Sequence, residues 1–313
     1  MGERGSDLLA SLRRGGKAAL AAALARLEEA PDAAATLDLL DAAFQAPRAH
    51  VLGITGPPGV GKSTLIGALI AAWRAAGRRV AVIAVDPSSR RSGGALLGDR
   101  TRLRTDPGDD GVFVRSMAAR DRLGGLAAQT ISAMVLMRSL YDVVVIETVG
   151  VGQSETEIAG AADTVVLCLQ PGAGDALQFM KAGILEIPHI LLVTKGDAGD
   201  GAERTRVDAA AALRQARQRA VEEEGWRVPV LKATAPAGEG VDALCAAIDR
   251  HRDWLAAEGR LAAARAEQEE AWLAEAIRER FGREGLRRAG GIPVATEGSP
   301  FRRLAALAEA LRP

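Results

Sequence analysis

One short stretch of the chain carries the residue types that bind a phosphate chain. It reads Gly56-Pro57-Pro58-Gly59-Val60-Gly61-Lys62-Ser63-Thr64 and fits the pattern G-x-x-x-x-G-K-[ST]. Glycine at these positions lets the backbone N–H groups turn inward around an anion without steric clash. We expect Lys62 to reach the β- and γ-phosphates as a catalytic residue, and the Ser63 hydroxyl to bind Mg²⁺. The stretch therefore predicts a nucleoside triphosphate site.

Acidic residues follow two further apolar runs. Asp86 follows Val80–Val85, and Glu147 follows Val143–Ile146. Carboxylate oxygens are suitable ligands for Mg²⁺ or for its bound waters, so both residues are predicted to act on the metal. Asp99, in a glycine-rich polar segment, is predicted as a further metal-facing and catalytic residue.

The residues after Glu147 are candidates for contact with the γ-phosphate. The Gly150 N–H can approach that phosphate without obstruction from a side chain. Gln153 is the candidate for positioning the attacking water, with Ser154 as an alternative. The sequence does not decide between these two residues.

A second motif predicts recognition of a base. Thr194-Lys195-Gly196-Asp197 ends another apolar run and fits [NT]-K-x-D. An aspartate there can accept hydrogen bonds from guanine N1–H and the 2-amino group, whereas adenine would leave the carboxylate unpaired. The Lys195 stem can lie against the base. The turn Thr234-Ala235-Pro236 is predicted to supply a backbone N–H to guanine O6. These features favour GTP over ATP.

Apolar runs alternate with segments long enough to form helices. The predicted strands are His50–Thr55, Arg79–Val85, Val112–Arg115, Tyr141–Glu147, Thr164–Leu169, Ile190–Thr194 and Val228–Leu231. This alternation is typical of an α/β fold with a mainly parallel sheet covered on both faces. Ligands of such sheets bind beyond the C-terminal strand ends, where the motifs above lie.

Composition and charge narrow the classes of function. Forty basic residues balance forty acidic ones, so neither nucleic acid nor an anionic membrane is an expected partner. Cys168 and Cys245 lie in apolar surroundings, which indicates free thiols in a reducing compartment. The sequence shows no apolar signal core and no run long enough to span a membrane, so a cytoplasmic location is expected.

Three regions are predicted along the chain. They are a helical N-terminal extension at 1–46, a P-loop GTPase domain at 47–250, and a helical C-terminal arm at 251–313. Within the first extension, a helix is expected to be interrupted near Gly15-Gly16. In the arm, Trp254 and Trp272 suit either an oligomer contact or packing onto the main domain.

Taken together, the motifs resemble the MeaB/MMAA group, also called ArgK-type or lysine/arginine/ornithine transport kinases. The segments that carry the resemblance are the phosphate loop, Asp86–Ser89, Gly98–Arg100, Glu147–Glu155 and Pro171–Asp175. The resemblance implies a SIMIBI-type G domain and a homodimer formed through the C-terminal arm. It further implies that hydrolysis of GTP to GDP gates delivery of adenosylcobalamin to a cobalamin-dependent acyl-CoA mutase, and protects or reactivates that mutase. The switch segments would be 86–100, 147–159 and 172–183.

This chain departs from that group at the base motif. The group usually has Asn where this chain has Thr194, and Ala where it has Gly196. A threonine hydroxyl can keep the hydrogen bond that tethers the loop, so guanine preference is expected to survive.

Two alternatives use the same phosphate loop. A nickel-insertion GTPase needs imidazole or thiolate ligands gathered in one place. This chain has only three histidines, His50, His189 and His251, its two cysteines are far apart in the sequence, and no C-x-x-C motif exists. A P-loop kinase needs an acceptor pocket and a catalytic base, and no motif for either is visible. The sequence does not identify the client mutase.

Overall fold

The computed structural model describes residues 2–87, 103, 105–119, 126, 128–148, 154–172, 187–219, 225–290 and 298–311. Its chain forms two compact units. One contains residues 50–126 and 142–261 and is called the sheet unit below. The other contains residues 1–49, 127–141 and 262–313 and is called the helical unit.

The sheet unit is built on seven parallel strands. They are β1 (His50–Thr55), β2 (Val80–Pro87), β3 (Val112–Ala119), β4 (Val143–Thr148), β5 (Thr164–Leu169), β6 (Ile190–Val193) and β7 (Val230–Lys232). Their order across the sheet is β3-β2-β4-β1-β5-β6-β7. The central strand β1 therefore lies between β4 and β5, with Ile54 opposite Glu147 on one side and Val166 on the other.

The described helices of this unit are α3 (Lys62–Ala75), α5 (Ser154–Ala159), α6 (Asp200–Arg219) and α7 (Val241–Ala256). Apolar side chains of α3 and α7 pack with strand residues such as Leu52, Val82 and Val145 in one core. Residues of α6 pack with Leu191 and Val193 in a second core. Because both faces of the sheet are covered, its inner strands are buried along their whole length, as their continuous apolar sequence predicts.

All seven predicted strands and the α/β P-loop class are confirmed, with differences at strand ends. β2 and β3 pair in register as far as Pro87 and Ala119, beyond the predicted ends. At the other edge, β7 begins at Val230 rather than Val228. Pro229 has no N–H to donate to a ladder, although its carbonyl accepts from Leu191 N–H at 3.0 Å.

The helical unit consists of α1 (Gly2–Glu29), α2 (Ala34–Gln45), α4 (Ala128–Arg138), most of α8 (Arg260–Ala289) and α9 (Pro300–Leu311). Two glycines interrupt its long helices with positive φ, Gly16 in α1 at 61° and Gly282 in α8 at 71°. The break in α1 lies where the sequence predicts it, since glycine adopts this conformation without strain. Beyond Gly282 the helix continues to Ala289.

Apolar residues of α8 and α9 form a core within the helical unit. Leu273 and Ile277 pack with Leu304 and Leu307, and Trp272 meets the Phe301 ring edge-on at a centroid distance of 5.1 Å. In the part of the chain that the structure describes, no helix is both long enough and apolar enough to cross a bilayer.

Candidate functional site

The phosphate loop connects the end of β1 to the start of α3. Its glycines adopt positive φ angles: 140° at Gly56, 74° at Gly59 and 102° at Gly61. At Gly56 a Cβ atom would lie 2.5 Å from the carbonyl oxygen of Cys168 on β5, so no larger residue fits. The loop therefore lies close against the sheet, and α3 begins directly after it with its positive end toward the same place.

Lys62 is held over this loop by backbone carbonyls. Its Nζ donates to the Gly56 oxygen at 2.7 Å and to the Pro57 oxygen at 3.2 Å, and its side chain is only 7% exposed. The ammonium is thus fixed at the N-terminal end of α3. A cation in this position is suited to bind the phosphates of a nucleotide.

Ser63 and Glu147 meet beside the loop. The Ser63 Oγ donates to Glu147 Oε1 at 3.0 Å, although the two residues are far apart in the sequence. At the neighbouring strand ends the Thr148 hydroxyl donates to the Thr55 hydroxyl at 3.2 Å. A hydroxyl and a carboxylate are the hard oxygen ligands that Mg²⁺ prefers, so this donor set fits the predicted metal.

The remaining predicted phosphate and metal residues are described in part or not at all. The backbone of Asp86 continues β2 beyond the pair formed by Val85 and Thr148, so it lies at the same edge of the sheet as Glu147. The Asp86 side chain, Asp99, Gly150 and Gln153 lie outside the described residues. Their roles stay predictions.

The base motif is tied directly to the phosphate loop. The Thr194 hydroxyl donates to the Val60 carbonyl at 2.7 Å, and the Leu169 carbonyl lies 3.1 Å from the same oxygen. Threonine therefore provides the tether that the sequence argument expected of it. Asp197 and Lys195 follow on the exposed side of this loop, with Lys195 at a positive φ of 50°.

The predicted second base loop lies against the first. The Gly196 N–H donates to the Ala233 carbonyl at 3.0 Å, and a Cβ at Gly196 would lie 3.0 Å from the Thr234 hydroxyl. In the turn itself, Thr234 N–H donates to the Glu239 carbonyl at 2.9 Å, and Pro236 has no N–H. Among residues 234–236, Ala235 N–H is thus the donor that no hydrogen bond in the described chain uses.

Cys168 has a packing role that the sequence did not reveal. It lies fully buried on β5 beneath Gly56, and burial raises the pKa of its thiol to about 12, although the nearby Lys62 opposes this shift. The thiol is therefore neutral and serves as a small apolar support for the phosphate loop.

The structure also brings together the three histidines that are scattered in the sequence. His50 and His251 contact the same hydroxyl, that of Thr164, and the ring of His189 lies against that of His251. Spacing along the chain gave no signal for this cluster. Within the described ranges, no group of three or more His, Cys, Asp or Glu is arranged to hold a metal ion.

A scan against protein families matches residues 20–287 to the family described as methylmalonyl Co-A mutase-associated GTPase MeaB. Among curated proteins, the chain is 36% identical over 283 residues to GTPase ArgK of Escherichia coli. The aligned region covers 88% of this chain and 84% of that protein. The chain is also 40% identical over 232 residues to the mitochondrial methylmalonic aciduria type A homolog of Mus musculus, covering 73% of this chain and 55% of that protein.

Among solved structures, the crystal structure of an LAO/AO transport system kinase resembles the whole chain. The TM-score is 0.67 at 27% sequence identity, and the match covers 98% of this chain and 97% of that one. The likeness therefore extends over both units and not only over the strands that carry the nucleotide motifs.

Proposed function

Because the chain belongs to the family of methylmalonyl-CoA mutase-associated GTPases, we propose that its GTPase cycle gates adenosylcobalamin delivery to a cobalamin-dependent acyl-CoA mutase and protects or reactivates that mutase. GTPase activity and guanine-nucleotide binding follow from the family itself. The observation that supports GTP hydrolysis at this site is the hydrogen bond of 3.0 Å from Ser63 Oγ to Glu147 Oε1 beside the phosphate loop.

At the phosphates, the fixed groups are the loop amides and Lys62. On binding GTP, Lys62 exchanges its contacts with the Gly56 and Pro57 carbonyls for contacts with phosphate oxygens. Ser63 and Glu147 would hold Mg²⁺, with Asp86 and Asp99 as further ligands, and the bound metal would neutralise charge on the phosphates. Ser63 and Glu147, which contact each other in this structure, would supply hard oxygen ligands to that metal.

At the base, the hydrogen bond from Thr194 to Val60 positions the base loop, which is the loop that contains Thr194, Lys195 and Asp197. The Thr194–Val60 hydrogen bond sets the distance between the base loop and the phosphate loop. Asp197 then accepts from guanine N1–H and the 2-amino group, Lys195 lies against the base face, and Ala235 N–H donates to guanine O6. Adenine offers Asp197 no such donor pair, and this difference selects GTP.

Coupling to the mutase requires segments that respond to the γ-phosphate. In our proposal, Gly150 contacts that phosphate, Gln153 positions the water, and segments 86–100, 147–159 and 172–183 adopt different conformations with GTP and GDP. A homodimer formed through the C-terminal helices, in the cytoplasm, would present these segments to the mutase. These assignments rest on the sequence motifs and on membership of the family.

The test uses the purified chain with Mg²⁺ and a methylmalonyl-CoA mutase from the same organism. We expect much tighter binding of GTP than ATP, and faster GTP hydrolysis when the mutase is added. Loading of the apo-mutase with adenosylcobalamin should then depend on the nucleotide. Equal affinity for ATP would contradict guanine recognition. Transfer of phosphate to a protein or amino acid instead of water would favour the kinase alternative.

A matched pair of assays separates catalysis from delivery. Lys62→Ala should abolish hydrolysis and nucleotide-dependent loading together. A non-hydrolysable GTP analogue should block the cycle while leaving nucleotide binding intact, so that loading stops after the first turnover. If loading of the mutase proceeds at the same rate with GTP, with the analogue and without nucleotide, the proposed gating is wrong even though the chain is a GTPase.

A further inference from the structure

All three histidines of the chain lie at the end of the sheet opposite to the nucleotide motifs. His50 begins β1, His189 immediately precedes β6, and His251 lies on α7. Thr164, the first residue of β5, joins two of them. We call Asp163, His50, Thr164 and His251 the histidine relay. The strands that begin at this cluster end at the phosphate loop and at the base loop.

The hydrogen bonds of the relay fix where its protons lie. Thr164 Oγ1 is 2.7 Å from His50 Nε2 and also 2.7 Å from His251 Nδ1. A hydroxyl has one proton, so it donates to only one of these nitrogens. The Asp163 carboxylate lies 3.7 Å from His50 Nδ1 and favours a proton there. His50 Nε2 therefore accepts from Thr164, and His251 Nδ1–H donates to Thr164.

This order leaves His251 Nε2 with a lone pair and no proton. The His251 side chain is 0% exposed, and Nε2 has no hydrogen-bond partner among the described residues. Aromatic rings surround it, with centroids at 4.3 Å for His189, 4.6 Å for Trp226 and 5.6 Å for Trp254. A proton added to Nε2 would create a buried cation with no acceptor.

The neighbouring His189 is held in the opposite tautomer. Its Nδ1 accepts from the Val165 N–H at 2.9 Å, so its ring proton lies on Nε2. Burial lowers the pKa of His251 to about 3, and the nearby His189 and His50 add to this effect while Asp163 opposes it. Burial likewise lowers the pKa of His189 to about 4. Both rings are neutral in the folded state at neutral pH.

We propose that the histidine relay is an acid-sensitive latch, which holds α7 to the N-terminal ends of β1 and β5 until a proton binds to His251 Nε2. The titratable groups that face His251 are His50 and Asp163 from the β1 and β5 ends and His189 from the start of β6. Beyond Trp254, Arg260 lies 4.7 Å from that ring and adds a like charge. Asp163 contacts the relay at His50, so its charge only partly offsets a new cation at His251 Nε2.

Acid should favour opening of the latch by a factor that can be calculated from the pKa of an exposed histidine. An exposed histidine has a pKa near 6.5, so opening of the latch is linked to uptake of a proton below that pH. For each histidine released, the opening equilibrium should rise by about thirtyfold between about pH 8 and about pH 5. Groups whose pKa is not changed by opening contribute nothing to this slope.

The first experiment reads the tautomers directly. The chain has three histidines, so the full-length protein labelled with ¹⁵N-histidine and freed of any histidine tag gives three imidazole spin systems. We expect Nδ1–H for His50 and His251 and Nε2–H for His189, assigned with His50→Gln and His189→Gln. An Nε2–H tautomer for His251, or its titration near pH 6.5 in the folded protein, would overturn the proposal.

The second experiment measures opening. Amide hydrogen exchange of α7, corrected for intrinsic rates, should show protection falling about thirtyfold or more on acidification in the wild type. In His251→Gln, which cannot take up a proton, the fall should be smaller by about that factor. Arg250→Gln, on an exposed position of the same helix, should match the wild type. An equal fall in His251→Gln would contradict the latch.

Because His251→Gln also removes the buried ring contacts of His251, Thr164→Val provides a second route. This variant keeps every histidine and removes only the hydroxyl that joins His50 to His251. We expect His251 to lose its fixed Nδ1–H tautomer in the ¹⁵N spectrum while the Trp226–His251 packing stays in place. An unchanged tautomer in Thr164→Val would show that the hydroxyl does not order the protons.

Discussion

The two ends of the sheet unit are built in different ways. At the C-terminal strand ends, contiguous motifs supply the proposed nucleotide site, and glycines with positive φ shape its phosphate loop. At the N-terminal strand ends, single residues from distant parts of the chain form a buried relay with no shared motif. A site that binds a charged ligand can thus leave a local sequence pattern, whereas a buried polar network need not.

The largest effect should come from Lys62→Ala, which tests whether the C-terminal strand ends bind and hydrolyse the nucleotide. These strand ends are called the nucleotide end below, and the N-terminal strand ends with the three histidines are called the histidine end. Loss of the ammonium removes charge compensation at the transferred phosphate, so GTP hydrolysis should fall by about a thousandfold or more. The free energy of unfolding should change by only about 1 kcal/mol, because the hydrogen bonds from Lys62 to the Gly56 and Pro57 carbonyls stay within its own loop. Steady-state phosphate release and chemical denaturation measure the two.

The control for that variant is Lys17→Ala on α1, in the helical unit, which should keep wild-type hydrolysis. If Lys62→Ala hydrolyses GTP at near the wild-type rate, the catalytic phosphate site is elsewhere. A large loss of stability in Lys62→Ala would instead mean that the loop and the histidine end are less independent than the comparison holds.

Acid should destabilise the histidine end first. The pKa values of His189 and His251 are about 4 and about 3 in the folded protein, against 6.5 when exposed, so the unfolded state binds more protons below pH 6.5. Stability is therefore complete above about pH 6.5 and falls as pH decreases. From about pH 8 to about pH 5 the loss should be about 2 kcal/mol per histidine, or about 4 kcal/mol in total.

Denaturant unfolding at a series of pH values measures this loss. In His251→Gln, about half of the pH-dependent part should disappear, whereas Lys17→Ala should keep all of it. A free energy of unfolding that stays constant between about pH 8 and about pH 5 would show that the two rings are not held neutral by burial.

Asp197→Asn tests recognition of the base separately from recognition of the phosphates. Replacing the acceptor pair leaves guanine N1–H and the 2-amino group poorly matched, so affinity for GTP should fall by about a hundredfold. Affinity for ATP should change little. Competition titrations with both nucleotides give the ratio, and Asp200→Asn, at the start of α6, is the matched control. Unchanged selectivity in Asp197→Asn would remove this residue from the base pocket.

The smallest effect concerns the tether between the two nucleotide loops. Thr194→Val leaves the buried Val60 carbonyl without its hydroxyl donor, so GTP affinity should fall by about tenfold. Thr194→Asn, which restores the residue usual in the family, should recover most of this loss. Equal affinities for the valine and asparagine variants, measured by calorimetry, would mean that the hydrogen bond does not position the base loop.

Prediction from the sequence succeeded where the pattern is local. All seven strands were predicted because each is an apolar run, and the break in α1 was predicted near Gly15-Gly16 because glycine favours positive φ. The ends of β2 and β3 were not predicted correctly, because pairing with a neighbouring strand extends a strand beyond its apolar residues. Trp254 and Trp272 could be placed only by the structure, in which each packs on a ring of its own unit.

By itself, the sequence determined the P-loop fold, the GTPase class and the identities of the phosphate and base motifs, because these features depend on neighbouring residues in one segment. Only the tertiary structure decided that Ser63 meets Glu147, that Thr194 holds Val60, and that three separate histidines share one buried cluster. The physical reason is that strand order and register bring these side chains together, and both are properties of the whole sheet.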